Sequence, residues 1–364
     1  MRILIVSKTL TFHRKGGFET HVTELATKLA ERGHDVHVVC RPLANKVKSQ
    51  FTIHGVDYLG IDMDVVDNLT SVPFFVRKIR NLGNFDIVHG HGVSAISYPL
   101  SKGQAPFVYT LHGLGEKNIA GYNKFLIPIL KMSFDVQKFC LTAADKVICQ
   151  SKSMMKEGPE YYKFDKSKCV YIPSALDTKK FAQKRMDGKH LVGYVGFLHE
   201  RKGLHFLLHA MKKVAGEVPG AKLVVAGHGN VYRFKTMSKR LGIEKNVVFL
   251  QNASEKEIIR LYNSLDVFCL PSQYESFGLA AYEAVAAGTP VVLSKTADFE
   301  QLASGNGFSV EASDIPAISE KVIAILKDSK LRNGFSAKCY KKIKPFDWTP
   351  VVKQTEVLYE SLAR

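Results

Sequence analysis

Acidic residues are scarce in this chain: 34 Asp and Glu stand against 51 Lys and Arg, a formal charge of +17 over 364 residues. The imbalance has no single seat, since residues 1–180 carry 25 basic against 16 acidic side chains and residues 181–364 carry 26 against 18. Such a surface answers to anionic substrates, an anionic membrane or nucleic acid. No RNP sequence, zinc-finger spacing or KH-type glycine loop occurs, which argues against nucleic acid. Cysteine is equally sparse: Cys40, Cys140, Cys149, Cys169, Cys269 and Cys339 include no Cys-x-x-Cys pair, and several sit in apolar runs as buried free thiols do. A reducing cytoplasm is the expected compartment. No uninterrupted apolar run reaches membrane-spanning length, and residues 1–7 read as an apolar strand, not as a signal peptide. GxGxxG is missing after that strand, so no nicotinamide dinucleotide site is read there.

What the chain does have is core-forming material, 46% hydrophobic and 23% charged residues, enough for two domains of ordinary size. Residues 2–7 (RILIVS) are apolar without alternation, as in a strand buried on both faces of a parallel sheet. A loop holding Gly16-Gly17-Phe18-Glu19 follows, then helical spacing of Val22, Leu25 and Leu29 over residues 20–32, then a strand at 36–40. Further strands read at 86–89, 107–111, 146–149 and 168–172, and residues 179–189 read as a polar hinge. The alternation restarts with strands at 191–195, 223–226, 247–250, 267–270 and 291–293, separated by helices at 204–215, 231–241 and 254–264. Ser254 with Glu257 three residues on spells a capping box. Residues 305–307 read as a turn, 315–326 and 350–362 as helices. Repeated β-then-α order predicts an α/β protein of two Rossmann-like domains.

Residues 266–293, DVFCLPSQYESFGLAAYEAVAAGTPVVL, concentrate the chemistry. An apolar strand runs through a Pro-Ser turn to Glu275; a helix starts near residues 276–278, carries Glu283 about two turns in, and stops at Gly288-Thr289-Pro290. Ligands in such sheets sit beyond the C-terminal strand ends. That place holds two carboxylates, which accept hydrogen bonds from sugar hydroxyls, and a helix N-terminus, whose free N–H groups suit a phosphate. Together they point to a sugar nucleotide. The stretch resembles the signature of retaining glycosyltransferases of the GT-B fold, glycosyltransferase family four, which carry Glu-x7-Glu in a pattern like PS-x-x-E-x-F-G-x-x-x-x-E-A-x-A-x-G-x-P-V. Thr110-Leu111-His112-Gly113 matches the family's TxHG, Gly16-Gly17-Phe18-Glu19 its GGxE loop, and Glu200-Arg201-Lys202-Gly203 its E-K-G element.

The resemblance implies two Rossmann-like domains facing each other across a cleft: residues 1–180 for the acceptor, 181–345 for the nucleotide-sugar donor, and a helix in 346–364 crossing back to the first domain. It implies a retaining, metal-independent hexosyltransferase that moves a sugar from a UDP- or GDP-sugar to an acceptor hydroxyl, with no further cofactor. Lys202, with Arg201 and the N–H groups around Phe277, Gly278 and Leu279, would neutralise the leaving diphosphate; Glu275 would orient the sugar, Glu283 bind ribose hydroxyls, His112 face the donor sugar, and Gly16 and Gly17 border the donor phosphates. Catalytic weight falls on His112, Glu275 and Lys202. The chain departs from the family at Phe197, where an arginine is usual, and around Thr296-Ala297, where a Gly-Gly pair is usual, although Glu300 fits. Either Arg201 supplies the missing charge or phosphate binding is weaker. A catalytically degenerate sugar-nucleotide-binding protein is the alternative.

Three further stretches remain. Asp62-Met63-Asp64 matches the Asp-x-Asp metal motif of the GT-A fold but reads here as surface loop. His89 and His91 lack a third ligand at sensible spacing and are expected in structural or hydrogen-bonding roles. Residues 117–140 carry Lys124, Lys131 and Lys138 beside Phe125, Leu126, Ile127 and Met132, and residues 73–82 read as a basic amphipathic helix. An ordinary core-facing helix with a solvated basic face explains the first segment as well. The expectation is a glycan or lipid-linked acceptor met at an anionic membrane surface, the protein being cytoplasmic and peripheral on the inner face.

Overall fold

The computed structural model describes residues 1–13, 16–45, 47–58, 70–114, 127–182 and 190–363. Asp62 and Asp64, Lys124 and the start of the 117–140 segment lie outside them. The chain divides into two units, Met1–Ala175 with Trp348–Arg364, and Leu176–Asp347.

Among the described residues, unit 1 is built on seven parallel strands: β1 (Arg2–Val6), β2 (Asp35–Cys40), β3 (Thr52–Gly55), β4 (Ile87–His91), β5 (Phe107–Leu111), β6 (Lys146–Cys149) and β7 (Cys169–Tyr171), in the order β3-β2-β1-β4-β5-β6-β7. Strands β1, β4 and β5 are buried almost throughout; in β1 this explains the unbroken apolar run after Arg2, while β4 buries His89 and His91 as well. The helices are α1 (Gly17–Glu31), α2 (Val72–Arg80), α3 (Ser97–Ser101), α4 (Ile127–Ala143) and α5 (Lys152–Tyr162). α1 buries Val22, Leu25, Ala26 and Leu29, its apolar stripe at helical spacing.

Unit 2 repeats the plan with β8 (Leu191–Val195), β9 (Lys222–Ala226), β10 (Val247–Leu250), β11 (Val267–Leu270), β12 (Val291–Ser294) and β13 (Gly307–Val310), all parallel in the order β10-β9-β8-β11-β12-β13. Strand order reverses between β8 and β11, as it does between β1 and β4, and the mouths of these reversals are where open α/β sheets bind ligands. Its helices are α6 (Thr178–Phe181), α7 (Leu204–Glu217), α8 (Val231–Arg240), α9 (Glu255–Ser264), α10 (Leu279–Ala286), α11 (Ala297–Ala303), α12 (Ile315–Lys327) and α13 (Ser329–Ile343). The capping box at Ser254 and Glu257 is formed at the start of α9.

The chain then returns to unit 1 as α14 (Trp348–Leu362), as expected of the last helix. Trp348, Val351, Val352, Leu358 and Tyr359 share one core with Ile3, Ile5 and Leu25. Each such burial contributes about 1.5–3 kcal/mol before ordering is counted. Polar pairs fix the register: Arg32 Nε donates to Glu356 Oε1 at 2.6 Å, His34 Nε2 lies 3.0 Å from the same oxygen, and Tyr359 Oη lies 2.6 Å from His89 Nδ1.

Candidate active site

In unit 2 the site starts from a close backbone crossing. Gly203, at φ +73°, follows a 3-10 turn, Glu200–Lys202, and opens α7. A Cβ there would lie 1.8 Å from the carbonyl oxygen of Pro271, so only glycine lets the chain leaving β11 pass over this turn. The crossing delivers Glu275 to Lys202, whose Nζ donates to both carboxylate oxygens at 2.6 Å. Ser272 Oγ donates to Oε1 at 2.9 Å. The pair is well shielded, with side-chain exposures of 18% for Lys202 and 5% for Glu275. Arg201 stitches the same loop: its Nη1 donates to Tyr274 O at 3.0 Å and its own carbonyl accepts from Gln273 N at 2.8 Å.

Gly278, at φ +79°, caps α10, and a Cβ on it would meet the Phe299 ring at 2.3 Å. The Phe277 ring turns inward, stacked on Tyr282 at 4.1 Å, and Leu279 packs on the core, so these two residues offer a ligand their N–H groups and not their side chains. The helix begins at Leu279, later than the sequence suggests, which puts Glu283 one turn in and not two. Its Oε2 accepts from Tyr262 Oη at 2.8 Å. Burial is the main cause raising Glu283 to about 7, against the lowering effect of the Tyr262 hydrogen bond; Glu255 adds to the rise and Lys180 opposes it.

At the usual arginine position Phe197 is 46% exposed, its ring edge-on to His228 at 5.2 Å and near parallel to His199 at 6.3 Å. The loops after β8 and β9 are locked together: Leu198 N donates to His228 O at 2.8 Å, and a Cβ on Gly227 would lie 1.9 Å from Gly196 O. Thr296, in place of a glycine, caps α11 through its hydroxyl, and Glu300 is exposed.

In unit 1, Gly16 is the N-cap of α1 and Gly17 its first residue, three positions earlier than the apolar spacing alone suggests. Glu19 is buried and accepts from Thr9 Oγ1 at 2.8 Å, tying the helix to the loop after β1. Phe18 lies edge-on to His112 at 4.7 Å, so the GGxE loop and the TxHG histidine meet. His112 Nε2 lies 3.0 Å from His91 Nδ1, and Gln150 hydrogen-bonds the same imidazole. Burial, with His21 and His89 adding repulsion, holds His112 well below the usual histidine range; burial also lowers His21 to about 4 and His89 to about 3. These rings are neutral hydrogen-bonding groups near pH 7, His89 spanning Tyr359 and Thr110. The site residues thus fall in two groups, one in each unit. His21, Gln150, Ser272 and Tyr262 were missed by sequence reasoning; the strand-end rule would have pointed to Gln150, which follows β6. Among the described residues no group of three His, Cys, Asp or Glu side chains is placed to hold a metal ion.

Two parallel Rossmann-like sheets with the last helix restored to the first define the GT-B class of architecture. Residues 15–180 match the family model described as Glycosyltransferase Family 4, and residues 177–342 the model described as Glycosyl transferases group 1. The chain is 28% identical to a phosphatidyl-myo-inositol mannosyltransferase of Mycobacterium tuberculosis, over 97% of this chain and 95% of that protein. It is 25% identical to a glycogen synthase of the same organism, over 100% of this chain and 95% of that protein. Sucrose-phosphate synthase from Thermosynechococcus elongatus shares the fold at a TM-score of 0.83 and 20% identity, covering 99% of this chain and 98% of that one. The chain belongs to the GT-B glycosyltransferases of these two families: it is a retaining enzyme that moves a sugar from a nucleotide-sugar donor to an acceptor.

Proposed function

We propose that the Lys202–Glu275 pair is the reacting end of the donor site. It lies where strand order reverses, beside a helix N-terminus, with a cation for diphosphate and a carboxylate for sugar hydroxyls in direct contact. A UDP- or GDP-sugar places its diphosphate on Lys202 and on the N–H groups at residues 277–279. Lys202 then exchanges one anionic partner for another, which releases the Glu275 oxygens to the sugar. Glu283 takes the ribose hydroxyls. The sugar–phosphate bond breaks, the acceptor oxygen bonds C1 on the same face, and the acceptor's proton passes to the departing phosphate. Stabilising charge on that phosphate is the main catalytic effect. Arg201 is a positioning residue, its guanidinium engaged with Tyr274 O. His112, Gly16 and Gly17 are the unit 1 groups assigned to the donor sugar and phosphates.

Screening UDP, GDP, ADP and CDP by thermal shift, then the matching sugars by nucleotide release, tests this reading. Glu275→Gln should abolish turnover without weakening nucleoside diphosphate binding, while Lys202→Met should weaken binding tenfold or more, as an order of magnitude for a lost charged contact. Full nucleotide affinity in Lys202→Met overturns the assignment. EDTA should leave turnover intact; recovery specific to Mn²⁺ after a loss would bring back Asp62 and Asp64 as metal ligands.

The acceptor is assigned to an anionic membrane surface, as a lipid-linked or cell-surface glycan precursor. α2 supports this: Phe75 and Ile79 are buried, Phe74 stands 47% exposed, and Arg77, Lys78 and Arg80 crowd its last turn. On α4, Lys131, Met132 and Phe139 are exposed as well. Among the described residues no helix is long and apolar enough to cross a membrane, so attachment would be peripheral and salt-sensitive. Co-sedimentation with anionic and neutral vesicles at low and high salt decides; equal, negligible pelleting at low salt leaves a soluble acceptor.

A further inference from the structure

Glu283 is a carboxylate with one oxygen engaged and one available. Its Oε2 accepts from Tyr262, and among the described residues its Oε1 has no hydrogen-bond partner, although the side chain is only partly buried. The residue holding it is itself unusually constrained. The Tyr262 ring is fully buried, packed against Phe181 at 5.9 Å and Phe268 at 5.8 Å. Its backbone carbonyl accepts from Thr289 Oγ1 at 2.6 Å, and its neighbour Asn263 ties α9 to Phe181 O at 3.0 Å. A buried tyrosine hydroxyl needs a partner, and here it has Glu283. Burial and that neighbouring carboxylate keep the phenol well above its usual range, so Tyr262 donates at every working pH.

We propose that Tyr262 is a positioning residue for the nucleotide: its hydroxyl fixes Glu283 Oε2 so that Oε1 is presented to the ribose hydroxyl pair of the donor. The inference rests on the reading of Glu283 as the ribose ligand. Ribose hydroxyls donate, so the ionised carboxylate is the form that binds both of them. The hydrogen bond from Tyr262 favours that form against burial. Among the described residues, the charged groups bearing on Glu283 from the elements packed on α10 are Glu255 of α9 and Lys180 of α6, an ion pair with each other. The buried titratable side chains on β11 and α13 are the free thiols of Cys269 and Cys339. Tyr262 is thus the neutral donor that both aims the carboxylate and helps it ionise.

The test is titration calorimetry of whichever of UDP and GDP binds the wild type more tightly, from pH 6 to 8.5, on Tyr262→Phe, Glu283→Gln and the double variant. Tyr262→Phe keeps the buried ring, and circular dichroism and melting confirm its fold. It should weaken binding about three- to tenfold near pH 7, with kcat at saturating donor largely kept. Its affinity should recover only at higher pH than in the wild type, because Glu283 then ionises later. Glu283→Gln should weaken binding and lose this part of the pH dependence, keeping only that of the diphosphate itself. In the double variant the Tyr262→Phe effect should vanish. If Glu283→Gln binds nucleotide like the wild type, the ribose assignment fails. If Glu283→Gln weakens binding while Tyr262→Phe leaves affinity and pH profile unchanged, or acts equally with and without Glu283, the positioning role alone is overturned. A Tyr262→Phe chain that does not fold makes the residue a core element and overturns it too.

Discussion

Glu283 carries a price in stability. Its folded value near 7 lies above that of an exposed glutamate, so across pH 4.5 to 7 the folded state holds a proton that the unfolded chain has released. Stability from this group therefore falls as pH rises through that window, by on the order of 3 kcal/mol once both are ionised. Glu283→Gln should raise the melting temperature at pH 8 and do so less at pH 5; an unchanged melting temperature at pH 8 would show that the carboxylate is not strained. Phe197 gives a second test at the same scale. Phe197→Arg should tighten nucleoside diphosphate binding if the exposed ring stands where a cation would help, whereas Arg201→Ala, by freeing the Tyr274 carbonyl, should lower kcat more than affinity. Unchanged binding in Phe197→Arg with severe loss of binding in Arg201→Ala would return the phosphate role to Arg201.

Among the elements, the 3-10 turn at Glu200–Lys202 and the loop after β11 behave as one piece, because Gly203 lets Pro271 O come close. Gly203→Ala adds both left-handed strain and a collision with a backbone atom that cannot swing aside. It should destabilise unit 2 by about 2–4 kcal/mol and remove turnover by displacing Glu275 from Lys202. Wild-type melting and turnover in this variant would mean the crossing is looser than the geometry requires. Some elements were plain in the sequence and some were not. The buried strands and α1 announce themselves by apolar runs and helical spacing. α13 buries only Cys339 and Ile343, so it has no apolar stripe to read. α5 contains Gly158 and Pro159, which break the pattern although the helix forms. β13 begins at Gly307, the last residue of the 305–307 turn, and its four mostly half-buried edge residues are too short a run to read as a strand.

For the whole molecule, the buried histidines of unit 1 and Glu283 of unit 2 respond to acid in opposite senses. His21, His89 and His91 of unit 1 are buried and held below the histidine range, so as pH falls under about 6.5 the unfolded chain takes up protons that the folded unit refuses. Stability is lost as pH falls, by roughly 1.4 kcal/mol per such histidine at pH 5.5. Glu283 in unit 2 acts the other way. The chain has one tryptophan, Trp348, buried in the α14 helix that closes unit 1, so its emission maximum reports unit 1 unfolding. The urea midpoint by tryptophan emission should drop between pH 7.5 and 5.5. A midpoint constant over that range would contradict neutral, buried histidines.

Local patterns in the sequence already implied the fold class, because strand runs, helix spacing, caps and glycine stops act over a few residues and recur in both halves. The same patterns placed Glu275, Lys202 and His112 at strand and helix ends, where α/β sheets bind ligands. Side-chain partnerships were out of reach. Lys202 and Glu275 are 73 positions apart, Tyr262 and Glu283 are 21, and His89 and Tyr359 are 270. Such pairs exist only once helices have packed, glycines have let backbones cross, and burial has left each polar group only the partners within its reach. Arg201 shows the limit: beside Lys202 in sequence it reads as a phosphate ligand, and only the packed structure shows its Nη1 donating to the carbonyl of Tyr274.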